Sequence, residues 1–378
     1  MKYRAMGKLG IQTSAFGLGC MRFNGNASGD SAIDEKKAIS LIRRAIDGGV
    51  TYLDTAYVYL GKTSEIVVGK ALRDGYRDRV TIATKMPKEA VKDRASMEAL
   101  LEEELKKLQT DHIDFYLMHG INREKWDYFK SIGAPAFFDD MKKAGKIRYK
   151  CFSFHGSYEE FEYILTDYDW DLVQIQYNFM DVNNQAGAKG LALAGKLGIP
   201  VVIMEGLLGG RLAKAPSNVQ ALYDAFPVKR SPVEWAFRWL CNHPEIAVVL
   251  SGCNEAEQID QNLKIFDTVE PGIMSPEELR LMEDVRAAYI SRTKIGCTGC
   301  RYCMPCPNGV NIPGLFSSWN EVSLYDTDPR WDWGLKRIRE SDSGPDRCVR
   351  CGACEAACPQ HLNIIESLQQ AWGELNPA

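Results

Sequence analysis

Short runs of aliphatic, β-branched and aromatic residues alternate with longer amphipathic stretches through roughly the first 290 residues, the pattern of repeated strand-helix units around a parallel sheet. The runs predict strands at 14–21, 50–55, 80–85, 112–119, 147–153, 172–177, 201–205 and 246–251. Eight such strands, each followed by a helix, close a (β/α)8 barrel. Helical periodicity falls between them at 34–47, 94–108, 183–197 and 232–242, with a last charged amphipathic helix at 276–289. Asp, Ser or Asn opens several of these stretches, and Gly48, Gly49, Gly145, Gly198 and Gly252 stand where elements should stop. No solenoid period or low-complexity segment interrupts the pattern.

Composition adds a boundary to this picture. The chain has 378 residues, 45% of them hydrophobic, enough for two or three domains with cores of their own. Lys and Arg number 46 against 50 Asp and Glu, a formal charge of -4 that argues against nucleic acid or an anionic membrane as the main partner. The first residues form no apolar signal segment, and no run reaches the roughly 18 apolar residues of a membrane span, so a cytoplasmic protein is expected. Eight of the twelve cysteines lie in 297–378. So sharp a shift places a domain boundary near 290, with a barrel at 1–290 and a cysteine-rich domain at 291–378. Without a secretion signal, a metal or cluster site is the stronger reading of these cysteines and a disulfide framework the weaker.

The cysteines form two runs, Cys297, Cys300, Cys303 and Cys306 before Pro307, and Cys348, Cys351, Cys354 and Cys358 before Pro359. The second has the full spacing of the bacterial ferredoxin run, in which three thiolates hold one [4Fe-4S] cube and the fourth reaches the other cluster. Two [4Fe-4S] clusters are therefore expected, one on Cys297, Cys300, Cys303 and Cys358, the other on Cys348, Cys351, Cys354 and Cys306. The first run is one residue short before its fourth cysteine, which leaves open a register using Cys300, Cys303 and Cys306. Tetrahedral zinc is the competing occupant, since paired cysteines two residues apart also suit it. The 41 residues between the runs, with Trp319, Trp331, Trp333 and a helical piece at 334–340, resemble a helical two-cluster ferredoxin module. Cys20, Cys151, Cys241 and Cys253 read as small buried hydrophobes.

In such barrels the chemistry gathers at the C-terminal ends of the strands, where this sequence places Asp54, Lys85, His119, Ser153, Gln174, Glu205 and Ser251. Gly17-Leu18-Gly19, Asp54-Thr55-Ala56-Tyr57-Val58-Tyr59, Thr84-Lys85 and Leu117-Met118-His119 resemble the aldo-keto reductase family, over about 290 of the 378 residues. The residue chemistry agrees. Tyr59, five residues after Asp54, hangs a phenol over the barrel mouth; a phenol with pKa near 10 needs a cation to stabilise the phenolate left when it acts as an acid. Lys85 supplies that charge, Asp54 fixes Lys85, and His119 hydrogen-bonds a substrate carbonyl or shares in the proton transfer. The resemblance implies that these four are the catalytic tetrad, with Tyr59 the acid to a carbonyl that accepts hydride from a nicotinamide. Tyr57, two residues earlier, reads as pocket lining or as core packing.

For the nucleotide the resemblance implies contacts through Ser153 and Gln174, but Phe154 and His155 stand where the family has Asn. His155 either replaces that amide contact, faces the substrate, or is a surface histidine. The aromatic that stacks on the nicotinamide is replaced by Met204, followed by Glu205 and Gly206. At the adenosine end, the stretch from Ser251 and Gly252 to Asn262 lacks the Lys and Arg that hold a 2′-phosphate, and Glu255, Glu257 and Asp260 repel one unless they point away. The choice between NAD(H) and NADP(H) is thus open, and backbone N–H groups after Ser251 suit a pyrophosphate or the phosphate of FMN equally. Arg211, in a glycine-rich loop, offers a second phosphate contact or is merely solvated. The segment 121–136, with Trp126, Tyr128 and Phe129, offers an apolar wall to a ligand or a packing surface for the tail.

The sequence thus predicts an oxidoreductase acting on a small-molecule carbonyl or alcohol, with clusters that are either structural or exchange electrons with a ferredoxin or other redox partner. The alternative is a redox-sensing or electron-delivery subunit that binds nucleotide and turns over little.

Overall fold

The structure is a computed structural model and describes residues 1–23 and 33–376. Two short strands, β1 (Tyr3–Ala5) and β2 (Gln12–Ser14), pair antiparallel. Eight parallel strands follow: β3 (Phe16–Gly19), β4 (Tyr52–Asp54), β5 (Thr81–Met86), β6 (Ile113–Ile121), β7 (Ile147–Phe154), β8 (Leu172–Gln176), β9 (Val201–Met204) and β10 (Ile246–Ser251). They pair in chain order, and β10 returns to β3, so the barrel is closed. All eight predicted runs form its staves. The predicted first strand is divided, because Ser14 ends the hairpin with its hydroxyl bonded to the Phe16 carbonyl 2.6 Å away.

Alternation along the staves decides what each face carries. Tyr52, Ala83, Phe115, Leu117, Cys151, Leu172, Val202 and Val248 share one buried cluster with Met6 of the hairpin connection, and Leu9 and Ile11 pack against it. Gly17 is required where β3 meets β10, since a Cβ there would lie 2.6 Å from Val248 Cγ1.

Helices occupy the expected intervals. Helix Glu35–Asp47 starts at Asp34, whose carboxylate accepts from the Lys37 amide, and helix Arg94–Leu108 starts at Asp93 with a reciprocal cap from Ser96. The predicted helix at 183–197 is shorter, Gly187–Lys196. Helices Pro232–Cys241 and Pro276–Ile290 match their predicted stretches closely.

Behind the staves, helices Ser64–Ala71 and Arg94–Leu108 enclose charged groups. Glu65 accepts from Thr84 Oγ1 at 2.6 Å, Glu104 accepts from Tyr116 Oη at 2.7 Å, and Lys107 Nζ lies 3.6 Å from Glu65. Burial, reinforced by neighbouring Glu65, pushes the Glu104 carboxyl well above the usual range. Tyr57 belongs to this cluster: its hydroxyl is 3.3 Å from Glu103, and Lys107 lies 4.1 Å from its ring centroid. It therefore packs against a helix, the second of the two roles the sequence left for it.

The segment 121–136 forms no ligand wall through its large rings. Trp126 and Phe129 are fully buried on helix Arg123–Ser131, with Trp126 against Trp170 and its indole bonded to Asp167, while Tyr128 bonds the Val91 carbonyl.

Contacts divide the chain into two compact units, one of residues 1–209 and 234–275, the other of 210–233 and 276–378. In the second unit, Arg292 joins Asn218 at 3.1 Å and Asp326 at 3.2 Å. The core of this unit gathers Ile295, Val310, Leu315, Phe316, Trp319, Leu335, Ile338, Ile364 and Leu368, with Cys297, Cys303, Cys306, Cys348 and Cys354 packed on it. Among the described residues no helix is long and apolar enough to cross a membrane.

Candidate functional site

Asp54 is the last residue of β4 and Lys85 the fifth of β5, and both point into the barrel. Lys85 is 1% exposed, and an ammonium at that depth requires compensation. It donates to Asp54 Oδ1 at 2.6 Å and to the Thr55 carbonyl at 2.7 Å. Burial works to lower the Lys85 pKa, but Asp54 and Tyr59 together hold it above its ordinary value. Burial raises that of Asp54 against the pull of Lys85 and Gln174.

Tyr59 follows β4 in a turn formed by three successive left-handed residues, Leu60, Gly61 and Lys62. The turn is anchored from below, since Ser64 Oγ bonds the Cys20 carbonyl at 2.7 Å and meets Thr55 Oγ1 at 2.8 Å. This places Lys85 Nζ 4.9 Å from the Tyr59 ring centroid and sets the His119 imidazole edge-on to the same ring at 5.8 Å. Asp54 and Lys85 are buried, while Tyr59 and His119 are partly open to solvent. Burial raises the Tyr59 pKa, with Lys85 opposing it. His119 is driven down to about 3 by burial, Lys85, Lys125 and His155, so its imidazole is neutral at physiological pH.

Of the residues expected to meet a nucleotide, Gln174 joins this group directly, donating from Nε2 to Asp54 Oδ2 at 3.3 Å. Its Oε1 is buried without a hydrogen-bond partner. Ser153 pairs in register with Gln174 and accepts the Gly120 amide at 2.7 Å. Phe154 is buried, whereas His155 is exposed and meets Gln185 at 3.1 Å. Met204 closes β9, and Glu205 follows exposed with a left-handed backbone. Gly206 is packed tightly enough that a Cβ would lie 2.8 Å from Leu240 Cδ1.

At the end of β10, Ser251 and Asn262 bond each other at 3.1 Å, and Gly252 is exposed. The acids of this stretch are partnered: Glu255 pairs with Lys37 at 2.5 Å, and Asp260 takes a two-pronged pair from Arg44. Two of the three charges expected to repel a phosphate are thereby neutralised. Arg211 pairs with Glu321 within the second unit, which accounts for its guanidinium without a phosphate.

The cysteines of the second unit line two hollows. One is lined by Cys297, Cys300, Cys303 and Cys358, the other by Cys306, Cys348, Cys351 and Cys354. Each hollow therefore draws on both runs. Among the described residues no three ligating side chains converge on one point as a single zinc ion requires. The remaining four cysteines are buried, as small hydrophobes should be.

Sequence reasoning missed the supports of the site. Ser64 and Gly120 lie outside the sequence motifs, Thr55 lies in one without a role of its own, and their hydrogen bonds identify all three.

Comparison with known proteins accords with this geometry. The profile described as the aldo/keto reductase family matches residues 15–271, and that of a 4Fe-4S dicluster domain matches residues 296–363. The uncharacterized oxidoreductase YrpG of Bacillus subtilis is 25% identical over 330 residues, spanning 75% of this chain and 96% of that protein. Among solved structures, the holo form of the aldo-keto reductase AKR11C1 from Bacillus halodurans superposes with a TM-score of 0.63 at 25% identity, over 75% of this chain and 96% of its own. An aldo-keto reductase from Klebsiella pneumoniae, solved in complex with NADPH, superposes with a TM-score of 0.61 at 23% identity, over 76% of this chain and 96% of its own. With the family profile covering well over half of its length, the chain belongs to the aldo/keto reductase family and carries a C-terminal 4Fe-4S dicluster domain.

Proposed function

We propose that the barrel interconverts a carbonyl and an alcohol with a nicotinamide nucleotide, and that the eight cysteines of the tail hold two [4Fe-4S] clusters in the crossed arrangement. The observation that carries the first reading is the buried Lys85 ammonium, fixed by Asp54 at 2.6 Å and lying 4.9 Å from the Tyr59 ring. When bound, the nucleotide supplies the hydride and the clusters supply one-electron capacity.

The chain's own residues handle the proton and the orientation. Tyr59 donates its phenolic proton to the carbonyl oxygen, because burial keeps the phenol protonated at neutral pH. Lys85 stabilises the phenolate left behind, and Asp54 holds the ammonium in place. Neutral His119 orients the carbonyl by a hydrogen bond, and the free Oε1 of Gln174 accepts from a carboxamide. The family to which the chain belongs supports a nicotinamide over FMN as the partner of this site. Neutralised Glu255 and Asp260 leave the segment after Ser251 open to a nucleotide phosphate, and the Klebsiella relative described with NADPH is in keeping with that.

Tyr59→Phe tests the enzyme. Carbonyl reduction should fall by about a hundredfold or more while nucleotide binding, followed by fluorescence titration, persists. Unchanged turnover would remove Tyr59 from the mechanism. Whether the clusters share electrons with the barrel is read from the visible spectrum of anaerobic protein: bleaching on adding NADH or NADPH connects them, and an unchanged spectrum leaves them structural or served by an outside redox partner.

A further inference from the structure

Among the described residues, the rim of the barrel beside His119 holds an ammonium, that of Lys125, with no carboxylate bonded to it. Beyond His119, β6 turns through Gly120, whose backbone is left-handed at φ +55° and places its two polar groups on different partners. Its N–H goes to Ser153, and its carbonyl accepts from Lys125 Nζ at 3.1 Å. From the next strand, His155 reaches the same corner: a Cβ on Gly120 would lie 3.8 Å from His155 Cδ2. Lys125 is half-buried, and among the described residues it has no carboxylate partner.

Acids nearby on these elements are already committed. Glu124 pairs with Lys88 at 2.8 Å and Asp127 with Lys130 at 3.2 Å. Glu160 accepts the backbone amides of Ser157 at 2.8 Å and Arg123 at 3.2 Å, and Asp181 accepts from Gln176 at 2.7 Å. Exposed Glu205 stands at the end of β9, three staves from β6. Both Lys125 and His155 are close enough to His119 to help keep its imidazole neutral. A half-buried ammonium beside a reaction site, lacking its own counter-ion, is matched by a ligand that brings one.

We propose that Lys125 and His155, flanking Gly120 beside His119, form a subsite for an anionic group on the carbonyl substrate, a carboxylate or a phosphate monoester. This rests on the reading of the barrel as a carbonyl reductase. It narrows the substrate from any carbonyl compound to one that carries an oxyanion a short distance from the reacting carbon.

The test compares matched aldehydes on the full-length protein: succinic semialdehyde against butanal, and glyceraldehyde 3-phosphate against glyceraldehyde. In at least one pair, kcat/KM should favour the charged member by about tenfold or more at low salt, and the preference should shrink as ionic strength rises. The pair that carries the preference identifies the anion. Lys125→Met should bring that ratio close to one, and Lys125→Arg should retain most of it. A ratio of one or less in both pairs, or one that Lys125→Met leaves intact, overturns the subsite. If Lys125 merely braces Gly120, both members of each pair fall together and the ratio stands. Should none of the aldehydes be reduced, the carbonyl-reductase reading fails by itself. The subsite is then decided by calorimetry with succinate and inorganic phosphate, where about tenfold weaker binding of either to Lys125→Met supports it and equal binding of both overturns it.

Discussion

Lys85 Nζ lies 2.6 Å from Asp54 Oδ1 with both side chains almost fully enclosed, so each charge depends on the other. Removing one partner leaves its mate buried and uncompensated. Asp54→Asn should therefore lower stability by about 3 kcal/mol, the scale for breaking a buried pair. Lys85→Met should lower carbonyl kcat/KM by about a hundredfold or more, since the Tyr59 phenolate then has no cation beside it. Thermal melts and steady-state kinetics on the two variants check this, and a Lys85→Met enzyme with ordinary turnover would contradict the role given to the pair.

The pH dependence follows from His119, which burial and its cationic neighbours drive down to about 3. Between pH 5 and 9 the imidazole stays neutral, so kcat/KM for carbonyl reduction should lack an inflection near 6.5. The alkaline limb should fall above pH 10, where Tyr59, raised by burial, loses its proton. In stability the sign is fixed as well. The unfolded chain binds a proton at His119 that the fold refuses, so its contribution is complete above about pH 6.5 and declines as pH drops towards 3. Replacing His119 with Asn should flatten that decline in denaturant melts taken at pH 7 and 5.

Glu104 titrates in the opposite sense. Its folded pKa is raised well above the ordinary value, first by burial and then by Glu65. The fold is therefore favoured at low pH and loses stability as pH rises through the folded value. Glu104→Gln keeps an acceptor for Tyr116 and has no charge to bury. The variant and the parent should match near pH 4. Above that, the variant should gain by up to about 1.4 kcal/mol per pH unit until Glu104 ionises in the parent. Equal melting curves at pH 5 and 9 would show that Glu104 does not hold a proton in the fold.

Pairing of cysteines across the two runs has a signature in iron counts. Cys358→Ser and Cys300→Ser line the same hollow, so the double variant should lose the same one cluster, about four irons, as either single variant. Combining Cys358→Ser with Cys351→Ser touches both hollows and should lose about eight. Iron analysis of anaerobically reconstituted protein distinguishes this from clusters that each belong to one run, in which Cys351 and Cys358 would share a site.

Much of this molecule is visible in the chain because its signals are local. The barrel staves are apolar runs with polar residues at their ends, and Asp54, Tyr59, Lys85 and His119 occupy spacings that bring them to one rim. What stays hidden depends on distance in space. The hairpin of β1 and β2 has three-residue strands, too short for any period to register. Glu65 and Glu104 look like solvated helix charges until Thr84 and Tyr116 are found beneath them. Glu255 and Asp260 look hostile to a phosphate, but their neutralising partners Lys37 and Arg44 lie more than two hundred residues away in the chain. Arg211, which the sequence leaves as a phosphate contact or a solvated side chain, pairs with Glu321, which no local pattern connects to it.

Because each hollow takes cysteines from both runs, neither is complete on an emerging polypeptide until the second run has been synthesised. The wall lined by Cys306 waits for Cys354, and the one lined by Cys297 waits for Cys358. Cluster insertion at either hollow would then be a late event in the life of the chain. A nascent protein stalled before residue 348 would carry a finished barrel sequence and four open thiols of the first run, a state exposed to oxidation until translation resumes.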